Sequence, residues 1–371
     1  MRIVYIITRA DAVGGASIHV RDMARVMRER GHETTVLLGG VGPVSEQLEA
    51  AGDAFLPLRW LRRQLNPVRD GLALVELIQV LRRLRPDVVS AHTAKAGILG
   101  RLASRWLGIP VIYTPHGWPA GERMPAAARA VFALVERAAS RWCERIVCVC
   151  EYERRLALSR GFAEESKLEV IHNGVSDVGA ELLARPETGP VRFCCVARFA
   201  SPKDHRTLLE ALALLRDEVW ELDLVGDGPR EEAMRGVAES LGIGGRVKFR
   251  GYSADPAGWL SQAQVFVLSS RSEAFPRSIL EALRAGLPVV ASDVGGVREA
   301  VEEGVNGLLA PAGDAAALAA ALRRLLQDPG LRRSMGLQAR ARYQERFRLE
   351  GMADRTMAMY VKLQSRTALS R

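Results

Sequence analysis

The chain has 371 residues, 48% of them apolar and 26% charged, which exceeds one ordinary core and suits two globular domains. Its formal charge of +9 suggests an anionic partner. However, only 6% of residues are aromatic and no finger or helix-turn-helix pattern occurs, so nucleic acid is disfavoured.

Short buried runs alternate with amphipathic stretches from the first residues on. Strands are predicted over 3–7, 34–38, 88–90, 111–113 and 146–149. Helices are predicted over 18–30, ended by Gly31, and over 72–84 and 96–107. Such alternation implies a doubly wound parallel sheet. The pattern breaks at Asn173-Gly174-Val175, and residues 184–190 (ARPETGP) read as a linker. It restarts with strands over 191–196, 222–225, 247–249, 265–268 and 289–291, and 318–362 reads as mostly helical. The expected class is α/β, with two Rossmann-like domains facing a central cleft: residues 1–180, residues 181–345, and a last helix over 346–371.

No apolar run reaches the roughly 18 residues that cross a bilayer. The N-terminus enters a strand directly, without the h-region of a signal peptide. The five cysteines contain no CxxC pair, which predicts buried reduced thiols in a cytoplasmic protein.

Gly14-Gly15-Ala16-Ser17 follows the first strand and opens the first helix. Small residues there let a phosphate or sugar approach the helix N-terminus, although such a pair is often only a tight turn. It is not a GxGxxG fingerprint, and no acidic residue ends the second strand, so a dinucleotide cofactor is disfavoured. His92 and His116 lie at strand C-terminal ends, where ligands gather in open α/β sheets, but a histidine there also serves to bond a neighbouring loop. Lys95 and Arg101 either face an anionic acceptor or line a solvated helix face. Arg198 and Lys203 lie between the second domain's first strand and its helix. Cations there are ordinarily surface charges, yet they would also neutralise a diphosphate whose charge grows as a glycosyl bond breaks. Gly226-Asp-Gly-Pro229 follows a strand and starts a helix, with Asp227 as a cap in the plainer reading. Gly251 occupies a similar turn.

Residues 269–286 (SSRSEAFPRSILEALRAG) leave a buried run and enter a helix predicted to begin at Pro276. Glu273 then sits at the helix mouth, beside N–H groups that favour anions. Glu281 lies further along the axis, about 12 Å away at roughly 1.5 Å per residue. Two such glutamates are ordinarily solvated charges; here they also suit a ligand with hydroxyls at both ends and negative charge between. A sugar–diphosphate–ribose has that layout. No D-x-D triplet, GK dipeptide or G-x-S-x-G occurs, nor any His/Cys cluster with metal spacing, so no metal site is expected.

The run from Glu273 to Ser292 resembles the C-terminal signature of family-four retaining glycosyltransferases, an E-x7-E pair followed by E-A-x-x-A-G-x-P-V-V-A-S. Ala274 replaces the usual glycine. Arg198 and Lys203 resemble the family's G-R-x-x-x-x-K pair, with Ala197 for its glycine. The S-x-H-x-x-K-A-G-x-L-G-R run from Ser90 and the T-P-H-G-W run from Thr114 are similar to the bacterial subgroup that builds exopolysaccharide, capsule or O-antigen. The resemblance covers nearly the whole chain. It implies a GT-B fold and transfer, with retention, from a nucleoside-diphosphate sugar (a UDP-sugar favoured) to a glycan or lipid-linked acceptor, with no cofactor and no metal. The catalytic residues it implies are His116, Arg198, Lys203 and Glu273. The donor contacts it implies are Gly14, Gly15, Gly226, Gly228, Phe275, Pro276, Arg277 and Glu281. It also implies that the last helix packs back on the first domain. Residues 59–63 and 124–145, read as helices mixing Arg with Trp or Phe, suit peripheral contact with the inner face of a cytoplasmic membrane as well as ordinary packing. A nucleotide-sugar epimerase of the same architecture and a non-enzymatic anion-binding protein are the rival readings.

Overall fold

The computed structural model describes residues 1–118 and 125–369, without the side chains of 365–369. They form two compact units, Met1–Asn173 with Glu350–Arg371, and Gly174–Leu349.

The first unit holds strands β1 (Arg2–Ile7), β2 (Glu33–Leu38), β3 (Phe55–Pro57), β4 (Val88–His92), β5 (Val111–Thr114), β6 (Arg145–Cys148) and β7 (Leu168–Val170). Its helices are α1 (Gly15–Glu29), α2 (Pro43–Ala50), α3 (Pro67–Leu84), α4 (Ala94–Leu107), α5 (Ala126–Ser140) and α6 (Glu151–Ser159). The sheet runs β3-β2-β1-β4-β5-β6-β7, and its strand pairs are parallel, with Ile7 opposite His92. β4 and β5 are buried along their whole length, as strands covered on both faces must be. Strand order reverses between β1 and β4, so the loops leaving their C-terminal ends lie side by side.

The second unit holds β8 (Val191–Val196), β9 (Trp220–Val225), β10 (Val247–Gly251), β11 (Val265–Leu268), β12 (Val289–Ser292) and β13 (Gly307–Ala310) in the order β10-β9-β8-β11-β12-β13, again parallel. Its helices are α7 (His205–Ala213), α8 (Glu231–Ser240), α9 (Ala257–Ser261), α10 (Arg277–Ala285), α11 (Val297–Ala300), α12 (Ala315–Gln327) and α13 (Pro329–Arg346); α14 (Leu349–Leu369) follows. The order reverses here between β8 and β11. α10 begins at Arg277, one residue later than predicted, with Pro276 as its N-cap. It ends at Gly286 (φ +78), where the Leu287 N–H closes on the Ala282 carbonyl at 3.0 Å.

Three expectations change. Residues 59–63 are not helical; Leu61 is buried in the core, and the N–H groups of Arg59 and Trp60 donate to the Glu76 carboxylate at 2.8 and 3.0 Å. The stretch 184–190 is pinned within the second unit rather than spanning freely. The Ala184 N–H donates to the Ala285 carbonyl (2.8 Å), and Arg332 Nε donates to the Pro186 carbonyl (2.5 Å). The second unit begins at Gly174 because Val175 lies between the Phe347 carbonyl and the Leu349 N–H, bonded at 2.9 and 3.0 Å. Met124, within the other stretch read as interfacial, lies outside the described residues. All five cysteines are buried and none forms a disulfide.

Candidate active site

In the second unit the loops leaving β8 and β11 are stitched together. Lys203 bridges antiparallel to Ser270. The Asp204 N–H donates to the Ser269 carbonyl (3.0 Å), and the Ser269 hydroxyl donates back to the Asp204 carbonyl (2.7 Å). The Arg271 N–H reaches the Pro202 carbonyl (2.9 Å), while its guanidinium pairs with the Asp204 carboxylate. Asp204 also caps α7, accepting from the Thr207 N–H at 3.3 Å. This stitching sets Lys203 Nζ 2.5 Å from Glu273 Oε1, which accepts a further bond from the Ser270 hydroxyl at 2.6 Å. The two side chains keep 19% and 10% of their surface exposed, so an anion can reach the ammonium and compete with the carboxylate for it.

Glycines hold the surrounding backbone. Gly226 (φ +148) and Gly228 (φ +149) adopt a conformation that side chains rarely allow, and a Cβ would stand 2.2 Å from the Ala197 carbonyl and 2.6 Å from the Phe199 carbonyl. Their need for glycine is therefore close approach of the loop after β8, not only a turn. Asp227 does not cap α8, because that helix starts four residues on, with Arg230 at its N-cap position. At Gly295 (φ +56) a Cβ would lie 1.7 Å from the Glu273 carbonyl, and the Gly296 N–H donates to the Ala274 carbonyl at 2.9 Å. Gly251 ends β10 with φ +72. Ala197 and Ala274 do not have positive φ, so alanine is tolerated where the family motif has glycine.

The remaining residues singled out in this unit are less closely gathered. Arg198 is exposed on the same loop as Lys203, and Glu281 is half-buried on the second turn of α10. Phe275 packs against Phe347 at 5.6 Å between ring centroids, and the Arg277 guanidinium donates to the Gly174 carbonyl at 2.9 Å. These two side chains therefore serve the fold. His205 stacks on Phe199 at 4.2 Å, and burial, assisted by Lys203, pushes its pKa down to about 4.

In the first unit, Gly14 is extended (φ −159, ψ 177), and a Cβ there would meet nothing within 4 Å. Neither conformation nor packing requires glycine, so the tight-turn reading fails at this position. Gly14 and Gly15 are exposed at the start of α1. His92 ends β4 and is 2% exposed; its Nδ1 lies 2.9 Å from His116 Nε2 and its Nε2 lies 3.0 Å from the Ser90 hydroxyl. Burial, and then the nearby His19, hold the His92 pKa well below the usual imidazole range. His116 (φ +56) and Thr93 (φ +67) both adopt the left-handed region, an uncommon conformation for residues other than glycine.

His19 was not anticipated. Its Nδ1 is 3.1 Å from Asn173 Oδ1 and its ring centroid 4.7 Å from that of His116. Although no cluster is visible in the spacing, the fold gathers three histidines whose ligand nitrogens all lie within 4.8 Å of one another. The available signal was position: His19 stands one helical turn after Gly15, on the helix that opens at the end of β1. Arg101 is a clear correction. It is wholly buried, 2.7 Å from a wholly buried Glu136 and 4.1 Å over the Tyr113 ring, so it can face neither acceptor nor solvent. Lys95 is tied to Asp70 at 2.7 Å.

Residues 13–177 match the family described as Glycosyltransferase Family 4, and residues 184–342 the one described as Glycosyl transferases group 1. The chain is 31% identical over 300 residues to EpsD of Bacillus subtilis (strain 168), named as a glycosyltransferase, covering 75% of this chain and 78% of that one. It is 26% identical over 341 residues, 87% of each chain, to UDP-Gal:alpha-D-GlcNAc-diphosphoundecaprenol alpha-1,3-galactosyltransferase of Escherichia coli. Anabaena Alr3699/HepE, solved in complex with UDP and glucose, superimposes with a TM-score of 0.83 at 23% identity, over 96% of this chain and 98% of that one.

Proposed function

The chain belongs to the family-four glycosyltransferases of GT-B fold, and from this premise we propose that it moves a sugar, with retention, from a UDP-sugar to a glycan or lipid-linked acceptor in cell-surface polysaccharide synthesis. The observation that carries the reading is the accessible Lys203–Glu273 pair where strand order reverses in the second sheet. The UDP in the HepE structure and the UDP-Gal and diphosphoundecaprenol in the Escherichia coli relative's name support the donor base and the lipid-linked acceptor.

In this reading the donor diphosphate draws Lys203 away from Glu273, and Arg198 supplies a second charge from the same loop. Glu281 accepts from the ribose hydroxyls, and Glu273 with the main chain of Phe275 and Arg277 meets the sugar. The buried Pro276 has no N–H and serves by shaping the helix mouth. Gly226 and Gly228 keep the loop in place. In the first unit, His116 contacts the transferred sugar and the open Gly14-Gly15 turn admits donor or acceptor. The bond from the anomeric carbon to the diphosphate breaks while the acceptor hydroxyl attacks from the same face, its proton passing to the departing diphosphate. The rate then rests on positioning and on Lys203 and Arg198 offsetting the charge that grows on the leaving group, with no metal at the diphosphate. The enzyme works in the cytoplasm at the inner membrane face, where Val131, Leu134 and Val135, exposed on α5, would rest on lipid.

A thermal-shift panel of UDP-, GDP- and dTDP-sugars tests the donor. A ligand at 100 times its Kd adds about 2.7 kcal/mol, and a chain that responds to no nucleotide sugar would end the proposal. Co-sedimentation with vesicles must rise with anionic lipid; indifference to lipid charge removes the membrane contact.

A further inference from the structure

We propose that His19, His92 and His116 form a binding site for a divalent cation of the imidazole-preferring class, Zn²⁺ or Co²⁺, on the first unit. Three separate elements converge on it: His19 from α1, His92 from the end of β4 and His116 from just beyond β5. Their ligand nitrogens lie within 4.8 Å of one another, and His92 Nδ1 and His116 Nε2 are 2.9 Å apart. Three nitrogens on one tetrahedral zinc, each at about 2.0–2.1 Å, stand roughly 3.3 Å apart. The His92–His116 pair therefore opens slightly and His19 closes, changes within reach of side-chain rotation.

The second ring nitrogens strengthen the assignment. Asn173 Oδ1, at 3.1 Å, accepts from His19 Nδ1–H, which leaves the lone pair of His19 on Nε2. The Ser90 hydroxyl lies 3.0 Å from His92 Nε2 and can accept from it, in the tautomer that leaves the lone pair of His92 on Nδ1. Outer hydrogen bonds of this kind fix tautomer and ring direction in metal sites. His116 takes its left-handed backbone here, and so does Thr93 beside His92. In that His92 tautomer the proton shared by His92 Nδ1 and His116 Nε2 belongs to His116; when the ion takes Nε2 that proton is replaced on His116 Nδ1, so the three imidazoles ligate in their neutral form. Three imidazoles leave a fourth tetrahedral position for water or an oxygen ligand.

The test uses the full chain, free of any affinity tag and stripped of metal, titrated with Co²⁺ and then Zn²⁺. The expected result is one equivalent of Co²⁺ with the visible bands of low-coordinate cobalt, and displacement by Zn²⁺. His116→Asn, which tolerates the left-handed backbone, and His19→Gln should each abolish the bands. Asn173→Ala, which removes no ligand, should weaken binding about 10- to 100-fold. Circular dichroism and thermal unfolding identify any variant that fails to fold, and the other variants then decide. His32 is the control, since its Nδ1 lies 3.3 Å from the N-terminal amine and offers a rival site. Binding that vanishes in His32→Gln, binding that persists in both His116→Asn and His19→Gln, or no saturable uptake would overturn the proposal. None of these readouts involves a nucleotide sugar, so they stand or fall apart from the transferase reading.

Discussion

Arg101–Glu136 in the first unit and Lys203–Glu273 in the second are both cation–glutamate pairs, closed to 2.7 and 2.5 Å. The first is sealed, with neither side chain exposed, and its arginine also covers the Tyr113 ring. The second is reached from solvent and held by two loops at the strand-order reversal. Similar chemistry thus serves two ends. A sealed pair can only hold the fold, because nothing can replace either partner without leaving a buried charge. An accessible pair keeps a cation in place while no ligand is bound and yields it to a stronger anion. In the sequence the two look alike, and only burial separates them.

The largest break in this comparison is Arg101→Met. It strands Glu136 in the core and should cost about 3–5 kcal/mol, read as a lower urea midpoint, whereas the double change Arg101→Met with Glu136→Met should recover most of it. If the single variant is as stable as the parent, the sealed pair does not hold the fold. Next comes Lys203→Ala, expected to lower kcat about 10²–10³-fold, as losing one oxyanion donor does. Its unfolding free energy should move by less than about 1 kcal/mol; a large stability loss would make the pair structural like its counterpart.

Acid sharpens the contrast around the second pair. His205 begins α7, beside Lys203 and Asp204, with a native pKa of about 4 against an ordinary value near 6.5. Between those values the unfolded chain binds the proton and the folded chain does not. Stability from this group is therefore full above pH 6.5 and drains as pH falls towards 4, by on the order of 3 kcal/mol. His92 shifts in the same direction, so His205→Phe should remove only part of the slope. A slope identical to the parent's would show that His205 is not the titrating group. Smallest is Glu281→Ala, which should weaken UDP binding by about 1.5–3 kcal/mol through loss of a charged acceptor, while kcat at saturating donor stays near the parent value. Calorimetry with UDP checks it, and unchanged affinity would remove Glu281 from the ribose.

Both sheets were legible because central strands such as β1 (RIVYII) and β11 (VFVL) are short apolar runs recurring between amphipathic stretches, and they need no periodicity to be seen. β3, β7 and β13 were not. They are three or four residues long, lie at sheet edges, and have too little sequence to rise above the loops around them. Lys203 and Glu273 could be singled out by motif, but their contact depends on backbone stitching between Asp204, Ser269 and Pro202 that no residue type announces. His19 was missed because one histidine on an amphipathic helix has no pattern to belong to. Arg101 misled because its helix mixes charge and apolar residues, and the carboxylate that neutralises it lies on a different helix.

The first unit is discontinuous: its last helix comes from residues 350 onward, and the buried Tyr360 phenol lies against Tyr5 on the first strand. A ribosome therefore delivers the second unit whole, as one unbroken segment, before the first can be completed. The N-terminal strands must wait for the final helix, and during that interval their exposed core is the part of the nascent chain most in need of a chaperone.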